Sequence, residues 1–155
     1  MTDNFVSGCV REATIVYGDP VSSPLARIGN SAGVSAFIRA TFGSRVCESF
    51  IVVALDARQR PVAWSEIARG QITSCQVAVS DVLRFALLAA SPAFIIAHNH
   101  PSGDPTPSPE DIALTDRIVS AAHVVWLRCL DHVIVSTDRS YSFVDSGAMP
   151  IGGAA

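Results

Sequence analysis

The sequence predicts a single α/β (α+β) domain, and three observations support this fold class. The chain of 155 residues has the length of one ordinary domain. Hydrophobic residues make up 49% of it and charged residues 16%, so the chain can form a buried core and is not mainly disordered. Short apolar runs that are typical of strands alternate along the chain with segments of helical spacing.

The first half of the chain is predicted to contain two helices and a β-hairpin. Helical spacing indicates a helix near residues 31–41. The run SFIVVALD, residues 49–56, is followed by a polar turn and a second β-like segment at Val62–Ile67, which together predict the hairpin. Because this run is almost continuously apolar, we expect the first strand to be buried on both faces. The segment SDVLRFALLAA then predicts a helix with Ser80 as its N-cap.

The second half is predicted to contain strands on both sides of one long helix. AFIIA, residues 93–97, is typical of a short buried strand. A helix is expected from about Pro109 to Ala122, after a loop rich in proline. Trp64 and Trp126 occur singly in apolar runs, and we expect both in the core. Three later segments are typical of closing strands: VVWLRCL, HVIVST and YSFVD.

Charge and hydropathy argue against two classes of partner. The 11 Lys and Arg and 14 Asp and Glu give a net charge of −3 without a basic cluster, so nucleic-acid binding is unsupported by charge without being excluded. The most apolar window, residues 85–97, is too short to span a membrane. The first part of the chain lacks the apolar core of a signal peptide, so we expect a cytoplasmic protein. The sequence does not indicate the oligomeric state.

The cysteines do not resemble a metal or disulfide framework. Cys9, Cys47, Cys75 and Cys129 are widely spaced and form no C-x-x-C pair. We therefore predict that they are buried or half-buried thiols.

Two histidines at the end of the predicted AFIIA strand indicate a metal site. On an extended chain His98 and His100 point the same way, because side chains alternate with a period of two. The proline that follows them takes the chain out of the sheet, where a site can open to solvent. A catalytic zinc commonly has a carboxylate among its three protein ligands and keeps one position for water. Asp111 is the best-placed carboxylate, and Asp104 and Glu110 are the alternatives.

Some of these residues also have a structural interpretation. Residues 108–111, SPED, fit a helix start with an N-cap serine, proline at the first helical position and an acid at the third. His123 follows the predicted helix and His132 begins a predicted strand, and we interpret both as structural histidines rather than ligands. For Ser108 and Asp111 the residues alone leave capping and site chemistry both open.

The same segment resembles a known family. His98-x-His100, seven residues, Ser108, two residues and Asp111 match the H-x-H-x7-S-x2-D signature of JAMM (MPN+) metalloproteases. The stretch AHNHPSGDPTPS is similar to the version carried by RadC-family proteins. The JAMM pattern also requires a glutamate near the start of the first strand, and Glu48 occupies that position.

The resemblance implies a fold and an activity. It covers roughly residues 22–145, with an N-terminal extension over residues 1–21 and a flexible tail over residues 146–155. The implied fold is JAMM/MPN-like, a curved mixed β-sheet flanked by helices and related to the cytidine deaminase architecture. The implied activity is zinc-dependent hydrolysis of a peptide or isopeptide bond in a peptide or protein substrate.

The resemblance also implies a role for each motif residue. His98, His100 and Asp111 would bind zinc, with a water as the fourth ligand. Glu48 would be the general base, and Ser108 would donate a hydrogen bond to the tetrahedral oxyanion. Two other hypotheses are a DNA-repair or mobile-element accessory that binds nucleic acid or a replication protein, and a non-catalytic MPN scaffold. The complete set of five motif residues favours the hydrolase.

Overall fold

A computed structural model describes residues 31–42, 46–70 and 77–151. The predicted N-terminal extension, Cys9 and Cys75 lie outside these residues. Helices and strands alternate as the α/β class requires, so the predicted fold class is confirmed. In chain order the elements are α1 (Ser31–Phe42), β1 (Glu48–Leu55), β2 (Pro61–Gly70), α2 (Val79–Leu88), β3 (Ala93–Asn99), α3 (Pro109–Val124), β4 (Arg128–Val135) and β5 (Ser140–Ser142).

The five strands form one mixed sheet in the order β2-β1-β3-β4-β5. β3 and β4 are parallel, and the other neighbouring pairs are antiparallel. A parallel pair needs a crossover connection, and α3 provides it. In this register Phe50 of β1 pairs with His98 of β3, while Ile96 of β3 pairs with His132 of β4.

Both faces of the sheet are covered, as the apolar run of β1 predicted. Every residue of β1 after Glu48 is buried. The first core cluster packs α1 against one face and includes Val34, Ile38, Val53, Ile95 and Val133. The second packs α2 and α3 against the opposite face and includes Phe50, Val82, Ile96, Leu114 and Ile118.

The prediction that Ser80 is the N-cap of α2 was wrong. The helix begins at Val79, and Ala78 is its N-cap without a side-chain hydrogen bond. The Ala78 carbonyl already accepts from the backbone N–H of Asp81 at 3.0 Å and of Val82 at 3.4 Å. Ser80 therefore lies inside the first turn, where its hydroxyl cannot act as the cap.

The closing strands also differ from the prediction. VVWLRCL and HVIVST are not two strands, because α3 continues to Val124 and a single strand, β4, follows. The helix ends in a Schellman-type turn, in which Leu127 N donates to Ala122 O at 3.0 Å and Trp126 N donates to His123 O at 3.1 Å. Trp126 has a φ of 59°, in the left-handed region that this turn requires. The YSFVD segment contributes only the short strand β5.

Three side chains expected to be buried are exposed. The Trp126 side chain is 93% exposed and that of Trp64, on edge strand β2, is 38% exposed, so neither lies in the core. Cys47 is exposed as well, whereas Cys129 is half-buried as predicted. Burial raises the pKa of the Cys129 thiol.

Two further predictions concern the membrane and the tail. Among the residues described, no helix has the length and apolar character needed to cross a bilayer. In the predicted flexible tail, Ala148 N and Met149 N both donate to Phe143 O, at 2.8 and 3.0 Å. Residues 152–155 lie outside the described chain.

Candidate metal centre

The candidate site lies where β3 ends and α3 begins. β3 extends beyond the predicted AFIIA segment to Asn99, which places His98 inside the strand and His100 directly after it. Asp111 lies in the first turn of α3, and its side chain returns to the end of the strand. His98 and Asp111 are buried, while His100 is partly accessible. The structure thus brings the three predicted metal ligands together.

Three ligand atoms converge in this site. His98 Nε2 lies 2.9 Å from His100 Nε2 and 3.2 Å from Asp111 Oδ1. His100 Nε2 lies 3.7 Å from Asp111 Oδ2. One ligand atom from each residue can be chosen so that all lie within 4.8 Å of one another.

The second ring nitrogen of His100 already has a partner. Its Nδ1 lies 2.7 Å from the backbone carbonyl of Asp104, which can only accept, so Nδ1 carries the hydrogen. In neutral His100 the Nε2 lone pair therefore faces His98 and Asp111. Two imidazole nitrogens and a carboxylate are the ligand types of a catalytic zinc site, and three protein ligands leave a position for water. The donor set consequently fits a zinc ion.

The two alternative carboxylates do not join this group among the described residues. The Asp104 side chain instead shapes the loop, because its Oδ1 accepts from Thr106 N at 3.1 Å and from Thr106 Oγ1 at 2.8 Å. Glu110 is exposed in the first turn of α3. Of the three carboxylates considered, Asp111 is therefore the one that the structure brings together with the two histidines.

The electrostatics of the group favour neutral His98 and ionised Asp111. Burial lowers the pKa of His98 to about 4, so its ring is neutral near pH 7. The Asp111 carboxylate, followed by smaller effects that include the charge of Glu48, raises the pKa of His100. Burial opposes ionisation of Asp111, but both histidines and Ser108 outweigh it and hold the pKa of Asp111 well below its usual value.

Ser108 is the N-cap of α3, which confirms the capping interpretation. Its Oγ accepts from Asp111 N at 3.1 Å, and Ser108 N donates to Asp111 Oδ2 at 2.8 Å, which completes a capping box. Pro109 occupies the first turn, as predicted. The Ser108 hydroxyl also donates to Asp111 Oδ2, at 2.7 Å. The residue expected to bind the oxyanion thus holds the Asp111 carboxylate in this structure.

Glu48 is the first residue of β1 and is half-buried. Phe50, two residues later, pairs with His98 across the antiparallel strands, so Glu48 projects from the same face of β1 as Phe50. Its effect on the pKa of His100 agrees with this position. The predicted general base therefore lies on the same face of the sheet as His98 and close enough to His100 to affect it.

Asn99, between the two histidines, has a role that the sequence analysis missed. Its Oδ1 accepts from Ser49 N at 2.7 Å, and its Nδ2 donates to Cys47 O at 3.1 Å. These two bonds hold the backbone on both sides of Glu48. No local sequence signal indicates this contact, because residues 47–49 and Asn99 are distant along the chain.

The other two histidines of the described chain differ from each other. His123 is exposed in the last turn of α3. His132 is completely buried and hydrogen-bonded, so it is the satisfied core histidine that the sequence predicted. Its Nε2, however, lies 2.9 Å from His98 Nδ1, a contact that was not predicted.

The mixed sheet between helices, with a His-His-Asp group at the end of β3, defines a JAB/MPN-type domain. The family model described as the RadC-like JAB domain matches residues 28–148, and the chain belongs to this family. The resemblance found in the motif is thereby confirmed.

Curated relatives are similar over most of the domain. The chain is 36% identical over 135 residues to a UPF0758 protein of Ralstonia nicotianae, covering 87% of this chain and 57% of that protein. It is 43% identical over 98 residues to a UPF0758 protein of Acinetobacter baumannii, covering 63% of this chain and 42% of that protein. A UPF0758 protein of Burkholderia cenocepacia is 40% identical over 121 residues, covering 78% of this chain and 47% of that protein. The chain spans about half the length of these relatives.

Proposed function

We propose that this protein is a zinc-dependent metallohydrolase that cleaves a peptide or isopeptide bond in a peptide or protein substrate. The observation that carries the proposal is the convergence of two imidazole nitrogens, 2.9 Å apart, with a carboxylate oxygen 3.2 Å from one of them. Buried or half-buried groups of this kind are stable together when a cation lies between them. Membership of the RadC-like JAB domain family supports the same proposal.

His98, His100 and Asp111 would hold the zinc ion. When bound, zinc lowers the pKa of a coordinated water and polarises a substrate carbonyl. The three protein ligands come from one strand end and one helix start, so the site is fixed by the packing of β3 and α3. His100 is the more accessible of the two histidines, and substrate would approach from its side.

Glu48 would act as the general base. Its carboxylate would accept a proton from the attacking water and later deliver that proton to the leaving amine. The half-buried position of Glu48 near His100 and the two hydrogen bonds between Asn99 and the adjacent backbone support this role, because they restrict where the carboxylate can lie.

Ser108 would donate a hydrogen bond to the oxyanion that forms when the carbonyl is attacked. Its hydroxyl hydrogen is directed at Asp111 Oδ2, so this role requires the hydroxyl to turn away from the carboxylate. The capping bond from Asp111 N would survive this rotation, since the Ser108 oxygen accepts that bond.

The test combines zinc analysis with cleavage of a peptide library and of isopeptide-linked conjugates. We expect about one zinc per chain in the wild type and none in His100→Ala. Glu48→Gln should retain zinc and thermal stability, because a general base need not bind the metal. Its turnover should nevertheless fall by at least about a hundredfold, the scale of general acid–base catalysis.

Glu110→Gln is the matched control, since it removes an exposed carboxylate close to the site. It should cleave like the wild type. Equal cleavage by wild type and Glu48→Gln would refute the role of Glu48. Zinc binding without cleavage by any variant would favour the scaffold or accessory hypothesis over the hydrolase.

A further inference from the structure

A circuit of three hydrogen bonds and one further polar contact begins and ends at Asp111. The Asp111 backbone carbonyl lies 2.5 Å from Thr115 Oγ1. Thr115 Oγ1 lies 2.6 Å from His132 Nδ1. His132 Nε2 then lies 2.9 Å from His98 Nδ1, and His98 Nε2 lies 3.2 Å from Asp111 Oδ1. The circuit joins α3, β4 and β3, and none of its four residues is exposed.

Counting hydrogens fixes the direction of the three hydrogen bonds in this circuit. The Asp111 carbonyl has no hydrogen, so the single hydroxyl hydrogen of Thr115 is donated to it. His132 Nδ1 must therefore donate to Thr115, which leaves a lone pair on Nε2 of the neutral ring. His98 Nδ1 donates to that lone pair. The Nε2 of His98 is then unprotonated and faces the other two ligands, as metal binding requires.

Aromatic packing holds the two rings in place for these bonds. His132 stacks on Phe143, with ring centroids 4.8 Å apart and an angle of 12° between the planes. Phe50 stacks on His98 at 6.0 Å and contacts His132 edge-on at 5.8 Å. The rings therefore have little freedom to rotate out of the chain.

We propose that His132 is a positioning residue of the metal centre, which fixes the tautomer and orientation of His98, and that Thr115 does the same for His132. The inference rests on the proposed zinc site and adds two residues to it. A metal-bound histidine generally needs such a partner on its other nitrogen, and loss of the partner weakens metal binding. Here the partner is a second histidine whose own state is set by the helix that carries Asp111.

The first test measures zinc affinity by competition with a chelator. His132→Phe keeps an aromatic ring between Phe50 and Phe143 but removes both hydrogen bonds, and we expect zinc to bind about 10- to 100-fold more weakly. Thr115→Val should weaken zinc binding less, and Thr115→Ser should restore it because serine keeps the hydroxyl.

Val133→Ala is the matched control for lost stability. Val133 is the next residue of β4 and packs in the core on the opposite face of the sheet, away from the histidines. The Val133→Ala variant should bind zinc with an affinity within about threefold of the wild type, since no partner of a proposed ligand is changed. If His132→Phe binds zinc as tightly as this control at equal folded fraction, the inference is overturned.

A second measurement does not depend on the metal. Nitrogen-15 NMR of histidine-labelled, zinc-free protein should show His98 protonated at Nδ1 and unprotonated at Nε2. In Thr115→Val the two tautomers of His132 should mix, and those of His98 with them. Protonation of His98 at Nε2 in the wild type would overturn the inference even if zinc binds. Failure of the wild type to bind zinc would instead refute the proposed function, and the NMR result would still decide the tautomers.

Discussion

Asp111 belongs both to the start of α3 and to the candidate metal centre. Its Oδ2 accepts one bond from Ser108 N, which belongs to the capping box, and one from the Ser108 hydroxyl. Its Oδ1 lies 3.2 Å from His98 Nε2, and its Oδ2 lies 3.7 Å from His100 Nε2. Its backbone carbonyl accepts from Thr115 and so begins the chain to His132. Capping and metal binding, which the sequence left as alternatives, are therefore compatible. The cap holds the carboxylate in place beside the two histidines, as a preorganised metal ligand would require.

Ser108→Ala tests whether Ser108 acts in catalysis as well as in capping α3. We expect zinc to be retained, because the three ligands remain, and the free energy of unfolding to fall by about 1 kcal/mol from loss of the cap. Turnover per folded molecule should fall further than this stability loss explains, since the proposed oxyanion donor is gone. Urea unfolding, zinc content and turnover on the same samples provide the measurement.

Ser108→Thr is the control, because threonine keeps a capping hydroxyl. It should remain close to the wild type in stability. If Ser108→Ala unfolds more easily while its turnover per folded molecule is unchanged, Ser108 is a cap and has no part in catalysis.

The site residues that could be predicted from the sequence are those that lie close together along the chain. His98, His100, Ser108 and Asp111 are close in the sequence, and alternation in a strand and the rules of helix capping placed them without tertiary information. Glu48 was assigned only through the resemblance to a family. The contacts of His132 were not predicted, because they depend on which strands are neighbours in the sheet.

At the scale of elements, the site depends on where two strands end. The paired register of β1 and β3 runs from Leu55 and Ala93 to Phe50 and His98. Beyond that pair the Asn99 side chain connects the two strands, because its Oδ1 accepts from Ser49 N and its Nδ2 donates to Cys47 O. Two backbone groups beyond the β1–β3 register are thereby bonded to Asn99, and the start of β1 is tied to the strand that carries the histidines.

Asn99→Leu should therefore loosen the start of β1. Loss of both bonds leaves two backbone groups without this partner and should cost about 1–3 kcal/mol of unfolding free energy. Hydrogen exchange at Ser49 N should accelerate, and turnover should fall with zinc retained because Glu48 is less well held. Asn99→Asp is the matched variant, since it keeps the acceptor for Ser49 N and loses only the donor to Cys47 O. An unchanged exchange rate at Ser49 N in Asn99→Leu would contradict this account.

The elements that the sequence mispredicted share a physical cause. VVWLRCL has the composition of a strand, but backbone hydrogen bonds of a helix end take up its first part, and Trp126 adopts the left-handed conformation that glycine usually supplies. Ser80 is a favourable N-cap residue, yet the helix starts earlier because Ala78 provides the first carbonyl. In both cases the backbone hydrogen bonds of a helix end outweighed the preference of individual residues.

At the scale of the whole molecule, the site lies where the sheet is best supported. β3 is buried at every position and is the central strand of the five. Its neighbours β1 and β4 contribute Glu48 and His132, and the crossover helix α3 contributes Asp111 and Thr115. The alternation of helices and strands predicted the class of fold. The strand order, and with it the position of the site at the end of the central strand, required the structure.

Zinc should stabilise the whole domain, because its ligands converge only when β3 and α3 are packed together. A ligand that binds only the folded state adds about 4 kcal/mol to the unfolding free energy when its free concentration is a thousand times the dissociation constant. We expect the melting temperature of the wild type to rise with added zinc and to fall again with a chelator. His100→Ala should show no such rise. His123→Ala is the control, since it removes an exposed histidine at the far end of α3 and should respond to zinc like the wild type. Equal stabilisation of both variants would mean that zinc acts elsewhere on the protein, and the candidate metal centre would then lose its main support.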